Sequence, residues 1–238
     1  MLVKDYQKVQ LKGSVINLSK KHFNINLLGD DYVVGDIHGC LVSLQQQLYH
    51  IGFNPKVDRL FCTGDLVDRG DDSIGVIKLL EKPWFHSVLG NHEYMITQYK
   101  HNNHIAEILI ANGGYWFAVL DSVKQDYIVN LIQTKMPLII EIESKDGLVG
   151  IVHGDLSGIT DWYEIQNKLG YEFQQTCIWN RAMFEKSLYA DRVDHIKNVS
   201  KIYFGHNITP DGLVRRSGNC FFIDSGAILN NALNIIKI

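Results

Sequence analysis

Short apolar runs alternate with amphipathic stretches along the first part of the chain. The runs at 31–35, 59–63 and 84–89 have the length and composition of buried strands. In the two stretches between them, apolar positions recur at spacings of three and four: Leu41, Leu44, Leu48 and Ile51, then Ile74, Ile77 and Leu80. This rhythm of strand and helix predicts an α/β fold with a largely parallel sheet that is covered by helices.

The rest of the chain adds helices, a hairpin and short strands. Helical patterns occur in four segments: 93–100, 105–111, 124–136 and parts of 161–197. Apolar runs at 138–143 and 148–153 flank a turn at 145–147 and predict a β-hairpin. The remaining short elements are a loop at 112–114, strands at 202–204, 220–223 and 233–236, and one or two edge strands within 1–30. No linker or repeat interrupts the chain, so we predict a single domain over residues 1–238.

Composition and charge exclude several classes of partner. Of 238 residues, 46% are hydrophobic and 21% are charged, which is typical of a folded globular protein. A formal net charge of −3 leaves no field that would attract nucleic acid or an anionic membrane. No apolar run is long enough to span a bilayer, and the N-terminus has no signal-peptide core. We therefore expect a cytoplasmic protein without nucleic-acid or membrane partners, and take a monomer as the working expectation.

Polar segments that contain glycine follow five of the predicted strands. They are Gly-Asp-Ile-His-Gly at 35–39, Gly-Asp-Leu-Val-Asp-Arg-Gly at 64–70, Gly-Asn-His-Glu at 90–93, His-Gly-Asp at 153–155 and Gly-His at 205–206. In open α/β sheets, ligands gather at the carboxyl ends of the strands. We therefore expect six side chains to converge on one crevice: Asp36, His38, Asp65, Asn91, His153 and His206.

These six side chains offer nitrogen and oxygen donors without a thiolate. Such a set favours Mn²⁺, Fe or Zn²⁺ over a structural cysteine site, and the number of donors favours two ions over one. A carboxylate can bridge two ions, and Asp65 is central in the order of ligands along the chain. Two bridged ions suit an in-line displacement at phosphorus, because they hold both the attacking and the leaving oxygen. The other histidines, His86 among them, fit ordinary surface or core positions.

Taken together, these segments resemble the signature of the PPP metallophosphatases, most closely the small bacterial and phage-lambda-type serine/threonine protein phosphatases. Further segments agree with that family: Pro83–His86, Asn112–Gly114 with Trp116 and Phe117, Pro137–Ile140, Ile178–Arg181 and Ile223–Ala227. The similarity runs from about residue 32 to residue 238. It implies a calcineurin-like metallophosphoesterase fold, in which a central mixed β-sandwich is flanked by helices and the metal site lies at the carboxyl ends of strands.

The resemblance also implies roles for the matching residues. Asp36, His38 and Asp65 would hold the first metal, and Asp65, Asn91, His153 and His206 the second. Both ions would be divalent, with Mn²⁺ preferred over Fe or Zn²⁺, and a hydroxide bridging them would attack phosphorus in line. His92, oriented by Asp68, would protonate the leaving alkoxide, while Arg69 and Arg181 would bind phosphate oxygens. The implied substrates are phosphoserine and phosphothreonine in a phosphoprotein or phosphopeptide, together with aryl phosphates.

Two departures from the family pattern bear on these roles. Leu89 stands where the family usually has an arginine, and the loss of a charged hydrogen bond, worth about 1.5–3 kcal/mol, should weaken phosphate binding. Leucine at this position is familiar from the symmetrical diadenosine tetraphosphate hydrolases, which are the alternative function. Asp68 and Glu93 instead follow the protein-phosphatase branch. Asn207 replaces the usual threonine, and little effect is expected because this residue is not a ligand.

A function of a different class is a phosphopeptide-binding module without catalysis. Binding alone does not require every metal ligand and a general acid, so that hypothesis predicts damage among these residues. The ligand positions and His92 are all intact in this chain. The sequence therefore favours an enzyme.

Overall fold

The structure is a computed structural model that describes residues 19–168, 170–189, 195–230 and 232–238. Ten strands lie in these ranges: β1 (Lys20–Phe23), β2 (Asp31–Val34), β3 (Arg59–Cys62), β4 (Phe85–Ser87), β5 (Ile139–Ser144), β6 (Gly147–Val152), β7 (Lys201–Phe204), β8 (Arg215–Ser217), β9 (Cys220–Phe222) and β10 (Ile235–Lys237). The α-helices there are α1 (Leu41–His50), α2 (Ser73–Ile77), α3 (Asn91–Gln98), α4 (Asn103–Leu109), α5 (Tyr115–Ala118), α6 (Ser122–Lys135), α7 (Tyr171–Trp179), α8 (Ala182–Tyr189) and α9 (Ala227–Asn230).

The strands form two sheets that pack face to face. One sheet has six strands in the order β1-β5-β6-β7-β9-β8, and the other has four in the order β10-β2-β3-β4. Parallel pairs join β2 to β3, β3 to β4, β6 to β7 and β7 to β9, whereas β10 and β8 run antiparallel to their neighbours. The expected mixed β-sandwich with flanking helices is confirmed. The strand–helix rhythm of the first ninety residues accounts for β2, β3 and β4 of the smaller sheet.

Alternate residues along the strands divide the core into two layers. Val33, Phe61, Ile140 and Ile151 share one apolar cluster, which lies between the sheets and draws on both of them. Their chain neighbours, such as Val34, Leu60, Cys62 and Val152, belong to the larger cluster that the helices cover. Because both faces of these strands are buried, the strands are continuously apolar instead of alternating. Full burial of each such side chain contributes about 1.5–3 kcal/mol of stability.

Several predicted boundaries shift for local reasons. The strand predicted at 84–89 is shorter in the structure, where β4 spans Phe85–Ser87. Beyond it the Leu89 N–H donates to the Pro137 carbonyl oxygen instead of to a strand of the smaller sheet. The segment 112–114 is not an open loop but part of a π-helical turn at Ile110–Gly114, kinked at Asn112 and Gly113. The helical pattern at 161–197 resolves into a 3₁₀ turn at Trp162–Asn167, α7 and α8, with 190–194 outside the described residues. The single-domain prediction for 1–238 likewise includes residues 1–18, which lie outside them.

The loops that follow the parallel strands of both sheets meet at one place. After β2, the His38 N–H donates to the Asp65 carbonyl oxygen in the loop after β3, at 2.9 Å. The Gly205 N–H after β7 donates to the carbonyl oxygen of His153 after β6, also at 2.9 Å. Nδ1 of His153 lies 2.8 Å from the Thr63 carbonyl oxygen and so connects the two sheets. Among the described helices, none is both long and apolar enough to cross a membrane.

Candidate active site

A cleft of about 480 Å³ opens where these loops meet. Seven of the ten residues selected from the sequence line it: His38, Asp65, Arg69, Asn91, His92, Arg181 and His206. The other three, Asp36, Asp68 and His153, are buried directly behind the cleft and hydrogen-bond to its loops. The structure therefore brings all ten residues to one place, but Asp36, predicted as a ligand of the first metal, is absent from both sets of side chains whose ligand atoms converge.

The backbone of these loops is strained at the functional positions. Of the six non-glycine residues with positive φ in the described chain, five belong to the site: His38 (45°), Asp65 (47°), Asp68 (71°), Arg69 (71°) and His206 (64°). Left-handed backbone at a residue with a Cβ costs of order 1–3 kcal/mol and persists only where the surroundings enforce it. The local sequence does not select these conformations, so contacts from other parts of the chain must hold them.

Glu93 supplies much of that support. Its side chain is fully buried at the start of α3, where it accepts three backbone N–H groups. One oxygen accepts from Leu66 at 2.7 Å, and the other accepts from Asp65 and Gly90, each at 3.1 Å. These bonds tie the segment at 90–93 to the loop at 64–70, and the His92 N–H holds the Asp65 side chain by donating to its Oδ1 at 3.0 Å. Gly90 is needed there because a Cβ at that position would lie 2.2 Å from Oδ1 of Asp65.

Asp65 stands between two groups of histidines. Its Oδ2 lies 3.7 Å from Nε2 of His38 and 3.9 Å from Nε2 of His92, while its Oδ1 lies 3.5 Å from Nε2 of His153. Two sets of three side chains each offer ligand atoms within 4.8 Å of one another: His38, Asp65 and His92, then Asp65, His153 and His206. Asp65 is common to both sets, which is the arrangement that a bridging carboxylate requires.

The hydrogen bonds behind the histidines leave lone pairs that face the centre. Nδ1 of His38 donates to the Val67 carbonyl oxygen and Nδ1 of His153 to that of Thr63, both at 2.8 Å. Nε2 of His153 is then an acceptor, yet it lies 3.0 Å from Oδ1 of Asn91, which is also an acceptor. Two acceptors that face each other in this way are both available as ligands of one cation. The residues present therefore fit a dinuclear metal site of nitrogen and oxygen ligands.

Burial keeps the three histidines in the neutral form that binds metal, whereas it raises the pKa of Asp36. Loss of water lowers the pKa of His38 to about 3, and burial likewise lowers the pKa of His153 and, more strongly, that of His206. At neutral pH these imidazoles are therefore uncharged. Asp36 is held differently, since Oδ1 accepts from the Thr63 hydroxyl and Oδ2 from the His206 N–H, both at 2.8 Å. These two bonds fix Asp36 against the loop that carries His206.

His92 and Asp68 form a short hydrogen-bonded pair. Nδ1 of His92 lies 2.5 Å from Oδ2 of Asp68, and both side chains are buried. Nε2 of His92 faces the cleft, 3.1 Å from Nη2 of Arg69, whose Nη1 lies 2.9 Å from Nε2 of His38. A buried carboxylate that binds Nδ1 fixes the orientation of the ring and directs Nε2 into the cleft. In this geometry Nε2 accepts an N–H of Arg69, and it is the ring nitrogen of His92 that a substrate in the cleft would reach.

Arg181 reaches the cleft from the segment before α8. Its Nη1 donates to the His206 carbonyl oxygen and to Oδ1 of Asn207, both at 2.8 Å. Asn207 is buried and lines the cleft, so the ligand-based expectation of little effect from this residue overlooks its contact with Arg181. Leu89, by contrast, is buried in the larger apolar core and does not line the cleft.

Sequence reasoning missed several supporting residues. Glu93 was noted only as the end of a motif, although an acidic residue three positions after Gly90 is a capping signal. Asp155 follows the ligand His153 and accepts the Met183 N–H at 2.8 Å, which anchors α8 next to Arg181. No local signal indicates that contact, because 28 residues separate its partners. Both residues are acidic and lie two positions after a predicted ligand, Glu93 after Asn91 and Asp155 after His153, and this spacing is the signal that could have suggested them.

Comparison with known proteins agrees with this geometry. The calcineurin-like phosphoesterase family matches residues 32–225. The chain is 32% identical to serine/threonine-protein phosphatase 2 of Escherichia coli (strain K12) over 210 residues, which cover 87% of this chain and 92% of that protein. A shorter match to the symmetrical bis(5'-nucleosyl)-tetraphosphatase of Pectobacterium carotovorum has 40% identity over 89 residues, covering 34% of this chain and 32% of that protein.

A solved structure shares the fold. A candidate diadenosine tetraphosphatase superposes with a TM-score of 0.59, covering 92% of this chain and 97% of that chain at 20% identity. The family match includes all ten site residues, from Asp36 to His206. The chain therefore belongs to the calcineurin-like phosphoesterase family and is a metallophosphoesterase.

Proposed function

We propose that this protein is a serine/threonine phosphatase that hydrolyses phosphomonoesters of a phosphoprotein or phosphopeptide, with Mn²⁺ as its metal. The observation that carries the proposal is the 2.5 Å pair of His92 and Asp68 beside the guanidinium of Arg69. The alkoxide of serine or threonine is a poor leaving group and requires a proton donor. A buried, carboxylate-supported imidazole next to a phosphate-binding cation meets that requirement.

The two arginines of the cleft would bind the phosphoryl group. Arg69 lies between Nε2 of His38 and Nε2 of His92, and Arg181 enters from the side of His206. If His38 serves as a metal ligand, the donors of the Arg69 guanidinium would be available to the substrate. Two planar guanidiniums on either side of the cleft would hold non-bridging oxygens and orient the ester bond towards His92.

Asp36, His38 and Asp65 would hold one divalent ion, and Asp65, Asn91, His153 and His206 the other. When bound, the two ions supply the positive charge that activates water and neutralises the phosphoryl oxygens. Nε2 of His92 would then give a proton to the departing serine or threonine oxygen, while Asp68 holds the ring in place through Nδ1. Glu93 keeps the Asp65 loop in its strained conformation throughout.

The mouth of the cleft favours a peptide. Phe184, Leu188 and Ile208 form an apolar wall next to Arg181, and Glu185 adds a carboxylate to the same wall. An apolar wall suits side chains that flank a phosphorylated residue. A carboxylate near the mouth disfavours a substrate with a chain of four phosphates, because like charges repel.

The second candidate is hydrolysis of diadenosine tetraphosphate. Leu89 favours it by resemblance, and the tetraphosphatase of Pectobacterium carotovorum shares 40% identity over 89 residues. That match covers 34% of this chain, against 87% for the serine/threonine phosphatase of Escherichia coli. Leu89 itself lies in the apolar core and contributes no surface to the cleft. The protein-phosphatase function is therefore the better supported of the two.

Parallel assays on two substrates test the proposal. The protein is incubated with a phosphoserine peptide and with diadenosine tetraphosphate, each in the presence of Mn²⁺ or EDTA. Phosphate release from the peptide that requires Mn²⁺ is the expected result. Preferential cleavage of the dinucleotide would instead establish the second candidate. Inactivity on both substrates, with Mn²⁺ bound, would favour a phosphopeptide-binding module.

A further inference from the structure

The segment Asn112–Trp116 lies directly against the loop of Asp68 and Arg69. It joins α4 to α5 through the kinked π-helical turn, far from the loop in sequence. Gly113 has φ of +101°, and a Cβ there would lie 2.7 Å from the backbone nitrogen of Arg69. Only a residue without a side chain permits this approach. The glycine thus brings α5 close enough for a side chain to reach Asp68.

That side chain is Trp116. Its Nε1–H donates to Oδ1 of Asp68 at 2.6 Å, across 48 residues of sequence. Oδ2 of the same carboxylate lies 2.5 Å from Nδ1 of His92. Among the described residues, Trp116 and His92 are therefore the two side chains that donate to the Asp68 carboxylate, one to each oxygen. Asp68 itself is fully buried with φ of 71°, and its N–H donates to the Ser73 hydroxyl oxygen at 2.9 Å.

Loss of the indole N–H would leave Oδ1 of Asp68 buried without a side-chain donor. A buried carboxylate oxygen in that condition turns to find another donor. Rotation of the carboxylate would draw Oδ2 away from Nδ1 of His92, and the imidazole would lose the partner that sets its direction. The position of Nε2 in the cleft therefore depends on a bond two side chains away.

We propose that Trp116 is a positioning residue for the proton donor: through Asp68 it fixes the direction of His92 and so determines how well a poor leaving group is protonated. This inference rests on the proposed function, because it assumes hydrolysis of phosphomonoesters. Gly113 serves the same purpose by allowing the segment to approach Arg69. The two hydrogen bonds that connect Trp116 to Asp68 and Asp68 to His92 thus explain what the Asn-Gly-Gly and Trp-Phe segments at 112–117 contribute to the site.

Leaving-group dependence separates positioning from a general structural role. In Trp116→Phe, kcat on a phosphoserine peptide should fall by about tenfold or more, since general acid catalysis typically contributes 10²–10⁴-fold. Hydrolysis of p-nitrophenyl phosphate should change less than about twofold, because p-nitrophenolate leaves without a proton. In a His92→Asn background, Trp116→Phe should cause no further loss on the peptide. Equal losses on both substrates, or no loss, would overturn the inference.

Trp84→Phe is the matched control. Trp84 packs against Phe53 at a ring distance of 5.3 Å, just before β4, and does not line the cleft. Both substrates should be hydrolysed at the wild-type rate by this variant. If Trp116→Phe fails to fold, site-specific replacement of Trp116 by benzothienylalanine keeps the shape of the ring and removes the N–H. The same loss of peptide hydrolysis is expected from it.

A spectroscopic measurement tests the inference without activity. The proton between Nδ1 of His92 and Asp68 should give a far-downfield ¹H resonance in the full-length protein loaded with diamagnetic Zn²⁺, and His92→Asn should abolish it. In Trp116→Phe this resonance should move or vanish, whereas in Trp84→Phe it should stay. An unmoved resonance in Trp116→Phe would overturn the inference. Wild-type inactivity on both monoesters would defeat the proposed function, while the resonance would still decide the role of Trp116.

Discussion

Oδ1 of Asn207 accepts a hydrogen bond from Nη1 of Arg181 at 2.8 Å. The bond links a residue next to the ligand His206 to one of the two arginines of the cleft. A long, flexible guanidinium loses less entropy on binding phosphate when a partner already holds it. Asn207 therefore prepares Arg181 for the substrate.

Asn207→Ala should weaken substrate binding more than turnover. A hydrogen bond to a charged group contributes about 1.5–3 kcal/mol. Because Arg181 is held less well without it, KM for a phosphoserine peptide should rise by roughly tenfold. Steady-state kinetics on the peptide measure this. The control is Asn207→Ala in an Arg181→Ala background, where no further change is expected. A similar rise in KM in both backgrounds would show that Asn207 acts through another contact.

Asp65→Asn should abolish the stabilisation of the fold by metal. Binding to the native state alone adds about 2.7 kcal/mol at a metal concentration 100 times Kd, which raises the Tm of a protein of this size by roughly 5–10 °C. Asp65 lies between both sets of histidines, so its loss removes a ligand from each. Thermal unfolding with Mn²⁺ or EDTA measures the effect. Asp126→Asn, at an exposed ion pair with Lys100, should respond to Mn²⁺ like the wild type.

His92→Asn should slow turnover and leave the metals bound. Loss of the proton donor should lower kcat on a phosphoserine peptide by about 10²–10⁴-fold, and on p-nitrophenyl phosphate by much less. Although Nε2 of His92 lies near Asp65, the ligands proposed for the first metal are Asp36, His38 and Asp65, and Asn91 provides the ligand oxygen from the same turn of α3. Metal content after gel filtration is the control measurement. Wild-type activity of this variant on phosphoserine would refute the assignment of His92 as the acid.

The convergence of the candidate ligand side chains was predictable from the sequence, and the sandwich that carries them followed from the family resemblance. Glycine beside a polar residue at the end of an apolar run marks a strand end, and parallel strands place their carboxyl ends at one edge. The supporting contacts were not predictable in this way. Trp116 reaches Asp68 across 48 residues, and Asp155 reaches Met183 across 28. Both depend on how loops with positive φ are held, which no local pattern encodes.

Leu89 shows that residue type alone also misplaces a side chain relative to the cleft. A leucine in place of a family arginine was interpreted as a gap in the phosphate site. In the structure its side chain joins the apolar core, at 1% exposure, while its N–H pairs with the Pro137 carbonyl oxygen. The change therefore alters packing as well as charge. Whether a position faces the core or the cleft follows from the local path of the chain, and residue type alone does not reveal it.

Glu93→Gln should weaken both the fold and metal binding, although the two side chains have the same shape. The Glu93 carboxylate accepts N–H groups from Asp65, Leu66 and Gly90. An amide would place a donor against at least one of these donors, at a cost of about 1–3 kcal/mol in unfolding free energy. Relaxation of the loop should then lower Mn²⁺ affinity. Urea unfolding and metal titration measure both effects, with the exposed Glu143→Gln as the control that should change neither.

The stability of the protein should fall in acid partly through His86, which lies outside the cleft. Its ring packs against Phe23 and Phe61, at centroid distances of 4.5 and 5.2 Å. Burial, with the nearby cations Lys21, Arg59 and Lys135, lowers the pKa of His86 to about 3. In the unfolded chain the pKa of histidine is about 6.5. Between these two values the unfolded state binds the proton and the native state does not, so stability rises with pH there.

The contribution of His86 is therefore fully present above about pH 7 and is progressively lost as the pH falls towards 3. At pH 5 the loss amounts to about 2 kcal/mol. His86→Phe keeps an aromatic ring and removes the titration. The difference in unfolding free energy between wild type and His86→Phe should thus shift by about 2 kcal/mol in favour of the variant between pH 7.5 and pH 5. Urea unfolding measures this difference, and EDTA is included so that bound metal does not contribute to the pH dependence. If the unfolding free energies of the two proteins change in parallel with pH, His86 has an ordinary pKa in the native state and the prediction is wrong.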